Sequence, residues 1–152
     1  MSEELTTGPE LAVGNAAVGV DVVGISAFAE QLAEPGTRFS RVFTPGERRA
    51  ARRSSEVGAE GRSAPLLEAQ SLAARWAAKE AVIKAWSASM HGEAPVMSEH
   101  VHHLIELVSD AWGRPRIRLH GEVARHLAGH ALEVSLSHDG DYAIAYVILT
   151  RP

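Results

Sequence analysis

Near the end of the chain, LEVSLSH (residues 132–138) and YAIAYVIL (residues 142–149) stand on either side of DGD. Asp-Gly between two alternating runs is the strongest short-range hairpin signal, so this part of the chain is committed to antiparallel strands. A second hairpin is predicted where HHLIELVSD (102–110) and RIRLH (116–120) flank the turn AWGRP. Between the hairpins, GEVARHLAGH (121–130) has a short helical spacing. Hairpins mixed with helices, without strict alternation of strand and helix, predict an α+β fold rather than a doubly wound sheet.

The first half supplies the other elements. AVGVDVVGI (17–25) is a β-branched run punctuated by Gly19 and Gly24, and it predicts a buried strand. In SAFAEQLAEPG (26–36), Ser26 suits an N-cap, Phe28 and Leu32 lie four apart, and Pro-Gly ends a short helix. Thr44, Pro45 and Glu47 then form a capping box that opens a basic helix. Ser54 to Pro65 is small, polar and rich in Gly and Ser, which predicts a mobile loop, and a long helix follows from about Leu66 to Ser87.

A chain of 152 residues, 45% hydrophobic and 22% charged, fits one globular domain with a moderate core: residues 16–152, behind a flexible tail at 1–15. The lack of cysteine excludes a disulfide framework and suits a reducing compartment. MSEELTTGPE has neither the basic start nor the apolar run of a signal peptide, and no run approaches the ~18 apolar residues of a membrane span. A cytoplasmic protein that does not engage membranes is therefore expected. The formal charge of −4 argues against a nucleic-acid-binding surface, although Arg41, Arg48, Arg49, Arg52 and Arg53 crowd into one segment.

Two carboxylates are out of place in this pattern. In RWAAKEAVIKAW (75–86), at about 100° per residue, Glu80 falls on a narrow apolar stripe with Ala69, Leu72, Ala73, Trp76 and Ile83, and Lys79 and Lys84 sit on its shoulders. Asp21 shares a strand face with Gly19 and Val23, while Val18, Val20 and Val22 take the other. Burying an ionised carboxylate without a partner is costly. Each acid has a plain alternative: a strand-end aspartate caps a turn, and a helical glutamate pairs with the lysine four residues on. Together, two buried acids on separate elements suit a hard divalent cation, and magnesium favours one or two carboxylates plus water and substrate phosphates. Lys84 or Lys79 would then neutralise charge on a transferred phosphoryl group. The pattern predicts phosphoryl-group chemistry on a diphosphate-bearing substrate.

VGVDVVGI, FTPGE, RWAAKEAVIKAW, WGRPRIRL and VSLSHDGDYAIAYVIL, in that order over residues 17–150, resemble the holo-acyl-carrier-protein synthases, the small 4′-phosphopantetheinyl transferases. The resemblance implies their fold, a small antiparallel sheet packed on a long central helix, assembled as a homotrimer with each active site at a contact between two subunits. It implies magnesium-dependent transfer of the 4′-phosphopantetheine arm of coenzyme A, the co-substrate, to a serine of an apo acyl carrier protein, giving holo carrier and 3′,5′-ADP. Carried over by position, Asp21 and Glu80 would hold the metal, with Glu80 the nominee for deprotonating the serine. Lys84, with Lys79, would lie along the pyrophosphate. Gly113, Arg114 and Pro115, and the block Ser135 to His138 through Ser137 and His138, would line the nucleotide end.

Two departures stand out. Where many relatives carry an arginine six positions after the metal aspartate, this chain has Ala27, so carrier docking is assigned instead to Arg48, Arg49, Arg52 and Arg53. Trp76 replaces the phenylalanine usual before AAKEA and is taken as a packing exchange. His126 with His130, and His100, His102 and His103, lack the surrounding ligands of a catalytic zinc site. On the residues alone, a magnesium-dependent hydrolase or nucleotidyltransferase acting on another diphosphate and a non-catalytic coenzyme- or carrier-binding module stay open.

Overall fold

The computed structural model describes residues 14–56 and 61–152. The tail expected at residues 1–15 falls, apart from Gly14 and Asn15, outside the described residues. The chain runs β1 (Ala16–Gly24), α1 (Ile25–Ala33), a 3-10 turn (Arg38–Arg41), α2 (Pro45–Glu56) and α3 (Ala64–Ser89). A second 3-10 turn (His102–Leu104) leads into β2 (Ile105–Ser109) and β3 (Pro115–Leu119), then α4 (Gly121–His126), β4 (Ala131–Asp139) and β5 (Tyr142–Thr150). One antiparallel sheet has the order β1-β5-β4, and β2 and β3 form a separate pair. The α+β expectation and both hairpins are present.

The terminal hairpin turns one residue later than the Asp-Gly pair suggests. Asp139 pairs with Tyr142, so the loop is Gly140-Asp141, with Gly140 at φ 55° and no non-glycine residue at positive φ among the described residues. That is the arrangement of a type II′ turn, which needs glycine first. Asp141 then caps α1: its Oδ1 accepts from the Ser26 amide at 3.0 Å and the Ser26 hydroxyl at 2.6 Å. Its carbonyl accepts from the Ile25 amide at 2.7 Å. Ser26 is thus not the N-cap expected; the helix starts at Ile25 behind Gly24, and the capping oxygens come from a distant turn.

The capping box at Thr44 is as expected. Thr44 Oγ1 accepts from the Glu47 amide at 3.1 Å, and Glu47 Oε1 accepts from the Thr44 amide at 3.0 Å. The loop expected from Ser54 to Pro65 is shorter than read, since α2 continues to Glu56 and α3 already begins at Ala64 with Pro65 in its first turn.

Helix α3 is the axis of the fold. β1 and β5 lie on one side of it, and α1, α2 and β2 cover others. Ala77, Ala78, Ala81, Val82, Ala85 and Trp86 are buried with Ile105, Leu107, Val123, Ala145, Val147 and Leu149 in one core cluster. Around Trp76, the rings of Phe28, Phe39 and Phe43 form a second cluster with Leu72 and Ala73. β5 alternates, with Ala143, Ala145, Val147 and Leu149 inward and Tyr142, Ile144 and Tyr146 exposed. Among the described residues no helix is long and apolar enough to cross a membrane.

Candidate active site

Gly19 sets the approach of β1 to α3. A Cβ there would stand 1.9 Å from the Ala81 carbonyl oxygen and 2.7 Å from the Ala85 nitrogen, so only glycine lets the strand lie directly on the helix. Two residues along the same face, Asp21 is brought against α3, where its Oδ1 accepts from Lys84 Nζ at 2.9 Å. Lys84 also donates to the Val20 carbonyl at 2.9 Å and keeps about half of its side chain (53%) in solvent.

Glu80 does not pair with the lysine four residues on. Its Oε1 meets His102 Nε2 at 3.1 Å, and that bond is the main force holding its carboxyl below the usual carboxylate range, against burial and with help from the charges of His102, Lys84 and Arg38. Neither acid is fully buried; the side chains of Asp21 and Glu80 are 16% and 28% exposed. The narrow apolar stripe is corrected too. Positions 75–79, 81, 82, 85 and 86 of α3 are all buried, so the helix is covered almost all round and Glu80 sits at a gap in that cover.

The gap is a cleft of about 320 Å³ lined by both acids together with Ala27, Gln31, Arg38 and Trp76. Arg38 and Trp76 also line a neighbouring cleft of about 670 Å³, bordered by Arg41, His100, His102 and His103. A third cleft, about 1000 Å³, lies by the β2–β3 turn and gathers Arg49, Arg53, Arg75, Arg118 and Gly113.

As a metal site the first cleft offers oxygen donors of the right kind. Among the described residues no hydrogen bond engages Asp21 Oδ2 or Glu80 Oε2, and no group of three or more ligating side chains occurs. A cation here would take two carboxylates and complete its shell with water and substrate oxygens, which fits magnesium.

Several expected site residues are placed elsewhere. Lys79 is fully buried; its Nζ donates to Glu47 Oε1 at 2.7 Å, to the His102 carbonyl at 3.0 Å and to the Ile105 carbonyl. It is a structural bolt between α2, α3 and the segment entering β2, not a coenzyme-binding group. The four docking arginines of α2 have different surroundings. Arg48 folds back onto the Phe39 and Ser40 carbonyls at 3.1 and 2.7 Å, Arg49 and Arg53 border the third cleft, and Arg52 is exposed and lines none of the three clefts. Arg114 is tied to Asp110 Oδ2 at 2.6 Å, beside Pro115 at the start of β3. Ser137 and His138 are exposed on β4, separated from β1 by β5, and line none of the three clefts. Three residues went unmarked by the sequence as site groups: Arg38, Trp76 and His102. The sequence offered little to find them by: Trp76 lies within the predicted long helix on the stripe of Glu80, His102 opens a predicted strand, and Arg38 follows the Pro-Gly stop of the first helix.

Residues 17–147 match the 4′-phosphopantetheinyl transferase superfamily. The chain belongs to that superfamily. Among its members, the holo-[acyl-carrier-protein] synthase of Mycobacterium ulcerans (strain Agy99) is 53% identical over 137 residues, spanning 90% of this chain and 98% of that protein. The synthase of Mycobacterium tuberculosis (strain ATCC 25618 / H37Rv) is 51% identical over 140 residues, spanning 92% and 100%. The Chronobacterium ammoniagenes ACPS-CoA complex is similar in structure with a TM-score of 0.77 at 42% identity, over 90% of this chain and 98% of that one. The phosphopantetheinyl transferase fold implied by the sequence resemblance is the fold observed, a small antiparallel sheet on a long central helix.

Proposed function

We propose that the chain transfers the 4′-phosphopantetheine arm of coenzyme A to a serine hydroxyl of an apo acyl carrier protein, releasing 3′,5′-ADP, and that it acts in the cytoplasm with magnesium. The observation that carries this is the cleft in which Asp21 and Glu80, from different elements, meet beside the cations Lys84 and Arg38. Relatives more than half identical over nearly their whole length bear the name of that activity, and coenzyme A is the partner in the C. ammoniagenes complex.

In this proposal Asp21 and Glu80 hold the metal, which supplies charge neutralisation at the coenzyme's pyrophosphate. The serine oxygen bonds to the phosphorus nearer the pantetheine, the bridging P–O bond breaks, and 3′,5′-ADP leaves. Lys84 stabilises the charge that builds on the leaving phosphate. Glu80, a carboxylate that is ionised at neutral pH without help and that the His102 bond holds lower still, takes the serine proton directly or through a water. Arg38 and Arg41, beside the acid cleft, suit the acidic carrier better than the arginines of α2, of which Arg48 is held by two backbone carbonyls and Arg49 and Arg53 line the third cleft. The third cleft, next to the Gly113 turn, is lined by four arginines against the two carboxylates Glu106 and Asp110, and that excess of cations suits the phosphate of the nucleotide end.

The outer face of the sheet supports self-association, which the family resemblance makes a homotrimer. Val18, Val20, Val22, Tyr142, Ile144 and Tyr146 are between 37% and 57% exposed there, and large apolar side chains gathered on one exposed face suit a contact with another chain. Val22, Ile144 and Ser137 lie in register across it. A second copy seated on this face would also cover the strand that carries Ser137 and His138.

Incubation with coenzyme A, magnesium and apo carrier protein tests the activity by mass. A gain of one phosphopantetheine on the carrier is expected, and no gain at any magnesium concentration refutes the proposal. Asp21→Ala and Glu80→Gln are each expected to abolish the gain while circular dichroism stays native; full activity in either overturns the metal assignment.

A further inference from the structure

We infer that His102 is a positioning residue for Glu80: its Nε2 holds one carboxylate oxygen so that the other faces the cleft shared with Asp21. The inference rests on the magnesium-dependent transfer proposed above.

His102 is gripped at both ends by consecutive residues of α3. Its carbonyl accepts from the buried Lys79 amine at 3.0 Å, and its ring nitrogen meets Glu80 Oε1 at 3.1 Å. The ring is stacked on Trp76, with centroids 4.6 Å apart and planes 27° from parallel. Trp76 is itself fixed, edge-on to Phe39 at 5.0 Å and under the Arg38 guanidinium at 5.4 Å. The main chain around His102 is held as well, by the 3-10 bond from the Leu104 amide to the Val101 carbonyl at 2.9 Å and by the start of β2 at Ile105.

The imidazole therefore has little freedom to move, and a donor so fixed restricts the rotamers of the flexible glutamate that accepts from it. Asp21 is steadied separately, by Lys84. Each acid thus has its own cation or donor on one oxygen and leaves the second oxygen for a ligand. Two protein ligands are few for a metal site, so the orientation of each carries more of the affinity than it would in a fuller shell. Trp76, taken from the sequence as a packing exchange, acquires a role in this arrangement as the wall against which the histidine ring is set.

Two variants separate the hydrogen bond from the packing. His102→Phe keeps an aromatic ring on Trp76 and removes the donor, whereas His102→Gln restores a donor without the ring. The readout is Mn²⁺ binding in the presence of coenzyme A and without carrier, from the paramagnetic resonance signal of free Mn²⁺, together with the Mg²⁺ dependence of transfer. His102→Phe should weaken Mn²⁺ binding about tenfold or more and raise the Mg²⁺ concentration for half-maximal transfer more than it lowers the rate at saturation. His102→Gln should recover most of the affinity. Wild-type affinity in His102→Phe, or equal weakening in both variants with native circular dichroism, overturns the inference. If the wild type transfers the arm without binding Mn²⁺, the positioning role falls and the transferase stands. If the Mn²⁺ pattern holds but the wild type transfers nothing, the transferase falls and His102 keeps its role.

Discussion

Replacing Lys79 by methionine tests whether the buried cation holds the fold rather than the substrate. The side chains of Lys79 and Glu47 are both 0% exposed and meet at 2.7 Å. Burial pushes the Lys79 amine below its ordinary range, and the charges of Glu47 and Glu106 oppose that. In Lys79→Met the side chain keeps roughly its length, so packing changes little. Glu47 retains the Thr44 amide at 3.0 Å and the Leu107 amide at 3.2 Å, but its charge loses the only ammonium beside it among the described residues. Removing one partner of a buried pair costs about 3–5 kcal/mol. The carbonyls of His102 and Ile105 lose a donor, and relief from desolvating an ammonium offsets part of that, so a net loss of about 4 kcal/mol is expected. Against a total of about 5–15 kcal/mol, that loss is plain in urea unfolding followed by circular dichroism. Adding Glu47→Gln removes the stranded charge and should return part of the loss. About 2 kcal/mol should remain, because the amide NH₂ cannot accept from the Leu107 N–H. A cost below about 1 kcal/mol for Lys79→Met, or a double variant weaker than the single one, refutes the reasoning.

Gly19→Ala should destabilise by about 3 kcal/mol or more, at the upper end of overpacking costs, because the added methyl would meet the Ala81 carbonyl, which is backbone and cannot turn aside. Thermal melting measures this, and a melting point within a few degrees of wild type would show that β1 does not need the close approach. Val20→Glu puts a charge in the middle of the exposed sheet face, opposite Tyr146; light scattering should then report a monomer, and a persisting trimer excludes that face as the contact.

The parts of the fold that were legible in the sequence are those held by short-range chemistry. The Thr44–Glu47 box is closed by its own two residues, and each hairpin carries its turn signal between its own strands. What failed did so where the partner was far along the chain. Ser26 has the right side chain for an N-cap, but the first turn of α1 receives its acceptors from Asp141, and nothing local to Ser26 encodes that. The same turn shows how a dipeptide signal locates a hairpin without locating its corner: Asp139-Gly140 marks the place, and the antiparallel register then puts Gly140 first in the loop.

At the site, Asp21 and Glu80 could be singled out because a carboxylate on an apolar element is conspicuous whatever surrounds it. Their partners could not be, because a helical projection knows only the helix. It places Lys79 and Lys84 symmetrically on two shoulders, yet α2 and the entry to β2 cover one shoulder and the other is left to solvent. Lys79 is consequently consumed by Glu47 and two carbonyls, while Lys84 is left to cross to Asp21. Once Lys84 is committed to the strand, Glu80 must find its donor elsewhere, and the segment that Lys79 bolts down brings His102 to it. The lysine that was misread as a coenzyme ligand thus acts on the site at one remove, by fixing the backbone of the histidine that orients the glutamate beside it in sequence.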